Sequence, residues 1–457
     1  MTPKHTVYPD RIRNRRVAVL GLARSGMAAC EMLLSHGAQV LASDAGDTEE
    51  LRAHAEHLTD LGAWVELGGH SKEALLGADY LVVSPGLKPT IPVLEAAAEI
   101  GIPVFSEIEV AFWLCRCDVI AITGTNGKTT TATLVHEILM AGGMDARLAG
   151  NVGVPFSSVA AEASGPVVLE VSSYQLERIE EFHPQVATIL NVESDHLDRH
   201  GDLESYAETK YRIAENQGHG DTFVLNADDA WSRKAPVASG TRSLFFSTQQ
   251  FLPEGVFCED DQLVFRIADR GGAILPLAEL AIPGPHNQAN AAAAAAMTLA
   301  YGVEPAVIAE TLRRFKGVPH RIEPLGVKQE RRFYNDSKAT NIGAMLMALR
   351  SVERPIVLVM GGRHKGDDPH AADELIRAKV RAVVAFGEAR ERFEEAWSKL
   401  VPVVLTSNLE EATQRAVSLS RPGDAILLSP ACASFDQYAS FEERGNRFRE
   451  YVDQIDR

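Results

Sequence analysis

The sequence is poor in cysteine: Cys30, Cys115, Cys117, Cys258 and Cys432 are the only five in 457 residues, and no two stand at C-x-x-C spacing. An odd, scattered set of this kind excludes a disulfide framework and implies a reducing compartment. A long apolar run is also missing. The longest, Ala291 to Ala300, is alanine-rich, interrupted by Thr298, and well short of the roughly 20 residues a membrane span needs. The opening MTPKHTVYPDRIRNRR has basic residues but no apolar signal core, so a cytoplasmic protein without membrane insertion is expected. Positive charge is in deficit as well, with 45 Lys and Arg against 62 Asp and Glu, a net charge of −17. Such a surface repels polyanions, and no basic stripe offsets it, which excludes a general nucleic-acid binder. Any anionic ligand must be held by local devices.

What is present describes an ordered globular chain. Hydrophobic residues make up 46% and charged residues 23%, with 35 Gly and 22 Pro spread along the length, which excludes disorder, collagen and coiled coil. At about 150 residues per domain the length suggests three domains. The runs RRVAVLG, QVLASD, ADYLVVS and GIPVFSE, each followed by a turn, give a parallel α/β rhythm over residues 1–106. A second segment, 107–317, opens at CDVIAITGTNGKTT and continues through PVVLEVSS and VATILNVESDH. A third, 318–457, restarts the rhythm with RPIVLVMGG, VRAVVAFGE and DAILLSPA.

Two glycine turns stand out. GLARSG (Gly21 to Gly26) follows a strand, and Asp44 closes the next one, as in a nucleotide-binding Rossmann opening, but Ala23 replaces the middle glycine. Either a nucleotide turn or a plain tight turn fits. Gly124-Thr125-Asn126-Gly127-Lys128-Thr129-Thr130 lies between a strand and a helix, where backbone N–H groups and the helix dipole cradle phosphates. Lys128 would neutralise β/γ-phosphates and Thr129 would sit on Mg²⁺, although Ile122 occupies the place of the first P-loop glycine. Glu170 interrupts an apolar strand and needs a cation, either Mg²⁺ or a basic side chain. His196 lies in an acid-rich turn that could be merely solvated, and Lys210 reads by periodicity as a surface helix lysine.

Taken in order, ITGTNGKTT, LEVSSYQLE, NVESDHLDRHG, HNQAN and PHRIE resemble the Mur ligase family, ATP-dependent amide-forming enzymes of peptidoglycan precursor assembly. NDSKATN and LLSPACASFDQYASFEERGNRF resemble the branch that adds D-glutamate to UDP-N-acetylmuramoyl-L-alanine. The resemblance implies an α/β protein of three domains: an N-terminal Rossmann-like domain for UDP, a central P-loop-type ATPase with a mainly parallel sheet, and a C-terminal Rossmann-like domain. It also implies ATP, two Mg²⁺ ions and a monomer. By motif match, Lys128 and Thr129 serve phosphate and metal, Glu170 one Mg²⁺, and His196 a second, which a carbamate on Lys210 helps to bind. Asn287 and Asn290 match adenine-side contacts, and Arg321 and Asp336 match phosphate and ribose contacts. Arg24, Ser25, Ser84 and Gly86 fall where UDP is held, and Asn151 where the muramoyl group is held. Lys338, Thr340, Lys365, Ser434 and Phe441 gather around D-glutamate, with Ser434 expected near a helix N-terminus. The rivals are another Mur ligase, folylpolyglutamate synthase, an NAD-dependent dehydrogenase built on GLARSG, and a nucleotide switch without amide chemistry.

Overall fold

The computed structural model describes residues 7–71, 77–282, 284–364 and 366–455. They form two compact units that divide between Phe315 and Lys316. The first unit carries two sheets. Strands β1 (Arg16–Leu20), β2 (Gln39–Asp44), β3 (Trp64–Leu67), β4 (Tyr80–Val83) and β5 (Val104–Ser106) lie parallel in the order β3-β2-β1-β4-β5. That order is Rossmann-like. Runs such as YLVV are buried throughout, as strands covered on both faces must be.

The second sheet has β6 (Val119–Thr123), β7 (Arg147–Gly150), β8 (Val167–Glu170), β9 (Val186–Ile189), β10 (Thr222–Asn226), β11 (Arg242–Ser247), β12 (Gly255–Glu259), β13 (Gln262–Ile267) and β14 (Arg270–Pro276). Their order is β14-β13-β12-β11-β10-β9-β6-β8-β7, which sets β6 between β9 and β8. Pairing is parallel from β7 to β12, and the outer strands β12, β13 and β14 pair antiparallel.

The two sheets share one buried cluster. Tyr80, Phe105 and Trp113 meet edge to face at centroid distances of 5.1 to 5.7 Å, and Phe112 meets Phe182 at 5.6 Å. Glu109, on the helix Glu107–Phe112, stitches the same region. Its carboxylate accepts the backbone N–H groups of Glu180, Glu181 and Phe182 and the Trp113 indole N–H. Burial raises its pKa, while these donors oppose the rise.

In the second unit, β15 (Glu323–Lys328), β16 (Arg331–Asn335), β17 (Ile356–Gly361), β18 (Val380–Phe386), β19 (Val403–Leu405) and β20 (Ala425–Leu428) take the order β15-β16-β20-β17-β18-β19. Only the β15–β16 hairpin among these pairings is antiparallel. Apolar clusters cover both faces. Arg444, 0% exposed on the helix Phe441–Gln454, ties two loops together. It donates to the Ser337 hydroxyl (2.9 Å) and carbonyl (2.8 Å) and to the Cys432 carbonyl (3.0 Å).

One local expectation is corrected. Ser434 does not lie near a helix N-terminus: the next helix begins at Phe441, capped by the Ser440 side chain. The physical reason is that Ala431 is left-handed (φ +54), Ala433 is tied to Arg363 by two backbone hydrogen bonds, and Ser434 opens only a single turn, its carbonyl accepting from Gln437 N and Tyr438 N, that does not continue into the helix.

Candidate active site

The glycine loop follows β6 and leads into the helix Lys128–Ala141, whose N-terminal N–H groups and dipole suit an anion. Gly127 has φ +83, and a Cβ there would lie 2.3 Å from Asn290 Oδ1, so only glycine permits this approach. Asn290 also accepts from Thr131 Oγ1 (3.3 Å) and donates to Asn287 Oδ1 (3.3 Å), so Asn290 backs the loop and is itself held by Asn287.

Further braces come from the segment after β9, the neighbour of β6. Asn191 exchanges hydrogen bonds with the Asn126 backbone at 2.8 and 3.2 Å, and Asn126 Nδ2 donates to Glu193 Oε2 at 3.1 Å. The pattern NVESDH does not by itself mark Asn191 and Glu193 as braces. Their position immediately after an apolar strand was the available signal.

Two lysines converge on one carbonyl. Lys128 Nζ donates to Gly124 O and Thr125 O at 2.9 Å, and Lys210 Nζ donates to Gly124 O at 3.0 Å. Lys210 is 1% exposed, which overturns the surface reading. The helix Leu203–Tyr211 turns Tyr206, Ala207 and Lys210 inward, a face too short for periodicity to reveal. Burial, reinforced by the Lys128 charge and partly opposed by Asp195, pushes the Lys210 amine well below the usual ammonium range.

Tyr206 joins this group to the next. Its ring lies 4.3 Å from Lys210 Nζ and 6.4 Å from the His196 ring, and its hydroxyl accepts from Thr125 at 3.5 Å. His196 is exposed, left-handed (φ +54), 3.4 Å from Asp195 and packed on Tyr174 at 5.0 Å.

Glu170 ends β8 in register with Ile122, two residues before the loop. It is 1% exposed. Oε1 accepts from Asn151 Nδ2 at 2.8 Å, whereas Oε2 is buried without a hydrogen-bond partner. A buried carboxylate oxygen in that condition is costly unless a cation meets it. Among the described residues no three His, Cys, Asp or Glu side chains cluster as a metal cage. Mg²⁺ takes one or two protein oxygens and completes its shell with phosphate and water. Glu170 and the buried Thr129 therefore fit the ion, and Thr130, next to Thr129 in sequence, is buried too.

The first glycine turn is tight: a Cβ on Gly26 would lie 1.8 Å from Gly21 O. Asp44 accepts the N–H groups of Leu22 (2.7 Å) and Gly46 (2.8 Å), so its carboxylate braces the turn. Ser84 Oγ donates to Gly21 O (2.8 Å), and Gly86 lies in the turn that Leu87 N closes onto Ser84 O. Arg24, followed by Ser25 in the first helical turn, donates to Gly153 O at 2.6 Å. This brings Arg24 onto the loop that begins at Asn151.

In the second unit, Asp336 accepts from Ser429 Oγ (2.8 Å) and Ile322 N (3.2 Å). Burial pushes its carboxyl up to about 7 against these hydrogen bonds and the weaker pull of Arg321. Lys338 Nζ lies 5.9 Å from the Phe441 ring, whose backbone carbonyl accepts from Ser337 Oγ. Thr340 N–H donates to Lys338 O, and Ser434 is buried. Lys365 lies outside the described residues.

Family models describe three stretches of the chain: the Mur ligase MurD-like N-terminal domain matches residues 15–106, the Mur ligase middle domain 122–298, and the Mur ligase glutamate ligase domain 320–432. The UDP-N-acetylmuramoylalanine–D-glutamate ligase of Salinibacter ruber is 41% identical over 98% of this chain and 99% of its own. That of Shouchella clausii is 42% identical over 96% and 97%. Among solved structures, the UDP-N-acetylmuramate–alanine ligase of Thermotoga maritima is 20% identical with a TM-score of 0.59, covering 96% of this chain and 99% of that one. A pseudomurein peptide ligase type C from Methanothermus fervidus is 20% identical with a TM-score of 0.56, covering 97% and 100%. At that identity the structural likeness speaks for the fold alone.

Proposed function

This chain belongs to the Mur ligase family, and from that premise we propose that it joins D-glutamate to UDP-N-acetylmuramoyl-L-alanine with cleavage of ATP to ADP and phosphate, in peptidoglycan precursor synthesis. The carrying observation is the unpartnered Glu170 oxygen beside a glycine loop held by two lysines, in a chain alike over nearly its whole length to D-glutamate ligases.

The chemistry has two halves. The L-alanyl carboxylate attacks the γ-phosphorus of ATP, giving an acyl phosphate and ADP. The amine of D-glutamate then attacks the acyl carbon, loses a proton and expels phosphate. Both halves crowd anions, so catalysis is chiefly positioning and charge stabilisation. Lys128 and the loop N–H groups, from Gly124 to Thr130, would hold the phosphates. Thr129 and Glu170 would hold one Mg²⁺, and His196 with a carbamylated Lys210 the other; bound there, the ions neutralise phosphate charge. A neutral amine is the form that attacks CO₂, and the buried setting of Lys210 favours that form. The product would carry a negative charge next to Lys128, turning repulsion into attraction.

Arg24, Ser25, Ser84, Gly86 and Asn151 would take the UDP-muramoyl substrate. Asn287, Asn290, Arg321 and Asp336 would serve ATP, and Lys338, Thr340, Lys365, Ser434 and Phe441 the amino acid. The working parts are residues 1–106, 107–317 and 318–457. No described helix is long and apolar enough to cross a membrane. We place the enzyme in the cytoplasm as a monomer, which light scattering checks. The deciding assay is phosphate release from ATP with UDP-N-acetylmuramoyl-L-alanine and, in turn, D-Glu, L-Glu, L-Ala, L-Lys or meso-diaminopimelate. Turnover is expected only with D-Glu, and intact ATP in every arm would remove the proposal.

A further inference from the structure

Arg199 belongs to the short helix that His196 opens, and its backbone N–H donates to the His196 carbonyl at 3.0 Å. Its guanidinium is engaged on three sides. Nε and Nη2 donate to the two carboxylate oxygens of Glu177 at 2.8 and 2.6 Å, and Nη1 donates to Leu87 O at 2.6 Å. The guanidinium carbon also lies 4.4 Å from the centre of the Tyr174 ring. Both charged side chains are largely buried, 13% exposed for Arg199 and 20% for Glu177.

These contacts lead to two different places. Leu87 closes the turn that starts at Ser84, which is itself bonded to Gly21. Tyr174 packs on the His196 ring at 5.0 Å and stacks on His200 at 5.8 Å with an interplanar angle of 17°. His200 in turn lies 3.1 Å from Ser173 Oγ and 3.9 Å from Glu177. A four-residue helix has little stability of its own, and the left-handed backbone of His196 persists only if its surroundings over-determine it. The Arg199 cluster supplies that determination.

We propose that Arg199 is a positioning residue that couples the Ser84–Leu87 turn to the His196 ring and so fixes the spacing between the UDP end and the metal end of the substrate site. The inference rests on the roles proposed above for those two ends. Arginine is the side chain suited to this: one rigid plane gives two parallel donors to a carboxylate, a third to a carbonyl, and a face to an aromatic ring. Lysine keeps the charge but cannot make all of these contacts at once.

The test uses the full-length enzyme and the variants Arg199→Lys, Glu177→Gln and Tyr174→Leu. Calorimetric titration with UDP-N-acetylmuramoyl-L-alanine, without ATP, reads the turn. The Mg²⁺ concentration for half-maximal turnover reads the His196 end. Arg199→Lys and Glu177→Gln are expected to weaken both by about tenfold or more, the usual range for residues that orient a metal ligand. Tyr174→Leu should raise only the Mg²⁺ requirement, and none of the three should alter KM for D-glutamate. If Arg199→Lys and Glu177→Gln lower the active fraction while leaving both constants unmoved, the pair is merely structural and the proposal is overturned. Wild-type enzyme that does not bind the UDP substrate at all would remove the function proposed above, and this inference with it.

Discussion

Replacing Glu170 by glutamine should make the protein more stable and nearly inactive. The amide carbonyl can still accept from Asn151, as Oε1 does at 2.8 Å, while the unpartnered Oε2 position becomes neutral. An unsatisfied buried polar group costs about 1–3 kcal/mol, and more when charged; the glutamine NH₂ left in that position is still unsatisfied, so the substitution relieves only the charged excess, on the order of 1 kcal/mol. A gain of that size raises the melting temperature of a unit this large by a few degrees, at roughly 2–4 °C per kcal/mol. The measurement is a thermal melt in chelator and again with Mg²⁺ and ATP. In chelator the variant should melt higher than wild type. With ligands near a hundred times their Kd, wild type should gain about 2.7 kcal/mol, and the variant should lose most of that gain. Turnover should fall by roughly a hundredfold or more, as when a group that stabilises developing charge is removed. A variant less stable than wild type in chelator, yet stabilised equally by Mg²⁺ and ATP, would refute the reasoning that Glu170 awaits a cation.

Three further outcomes follow from the same geometry. Lys210→Ala should lose activity that formate or acetate partly restores, and wild type should lose activity in CO₂-depleted buffer; full activity there removes the carbamate. Gly127→Ala forces a left-handed alanine, costing about 1–2 kcal/mol, and drives a methyl group against Asn290. KM for ATP should rise roughly tenfold with KM for D-glutamate unchanged, as steady-state kinetics would show. Asp336 is held protonated up to about 7 in the fold but ionises near 3.8 when unfolded, so its contribution is full below 3.8 and is lost as pH rises through about 7. Over the whole window this amounts to at most roughly 4 kcal/mol. Urea midpoints at pH 6 and pH 8.5 should therefore diverge more for wild type than for Asp336→Asn, and parallel behaviour would count against it.

The strands with unbroken apolar runs, such as VIAIT and IVLVM, were legible because burial on both faces writes itself into composition. The outer strands of the central sheet were not. β13 and β14 mix arginine and glycine with apolar residues, and the β12–β13 turn uses Asp260-Asp261 at φ +48 and +57 where asparagine-glycine would announce a hairpin. The phosphate loop was legible from its glycines and Lys128. Lys210 was not, because nothing local distinguishes a lysine facing solvent from one that tertiary packing turns under a carbonyl. Asp44 shows the converse: its place after the glycine turn matches a nucleotide-binding opening, and in the fold its oxygens accept the backbone N–H groups of Leu22 and Gly46. Arg199, on a four-residue helix, and Glu177, just past the end of the helix Ser173–Leu176, are ordinary charged residues, and only the packed structure reveals what they hold.

The aromatic wedge of Tyr80, Phe105 and Trp113, with Glu109 knotting four N–H groups beside it, packs the first two sheets together within one compact unit. The residues proposed for the sugar nucleotide and the glycine loop proposed for the phosphates thus lie within one compact unit. Heat or denaturant should melt them in a single transition, and an excised 1–106 fragment would expose a raw aromatic face and tend to aggregate.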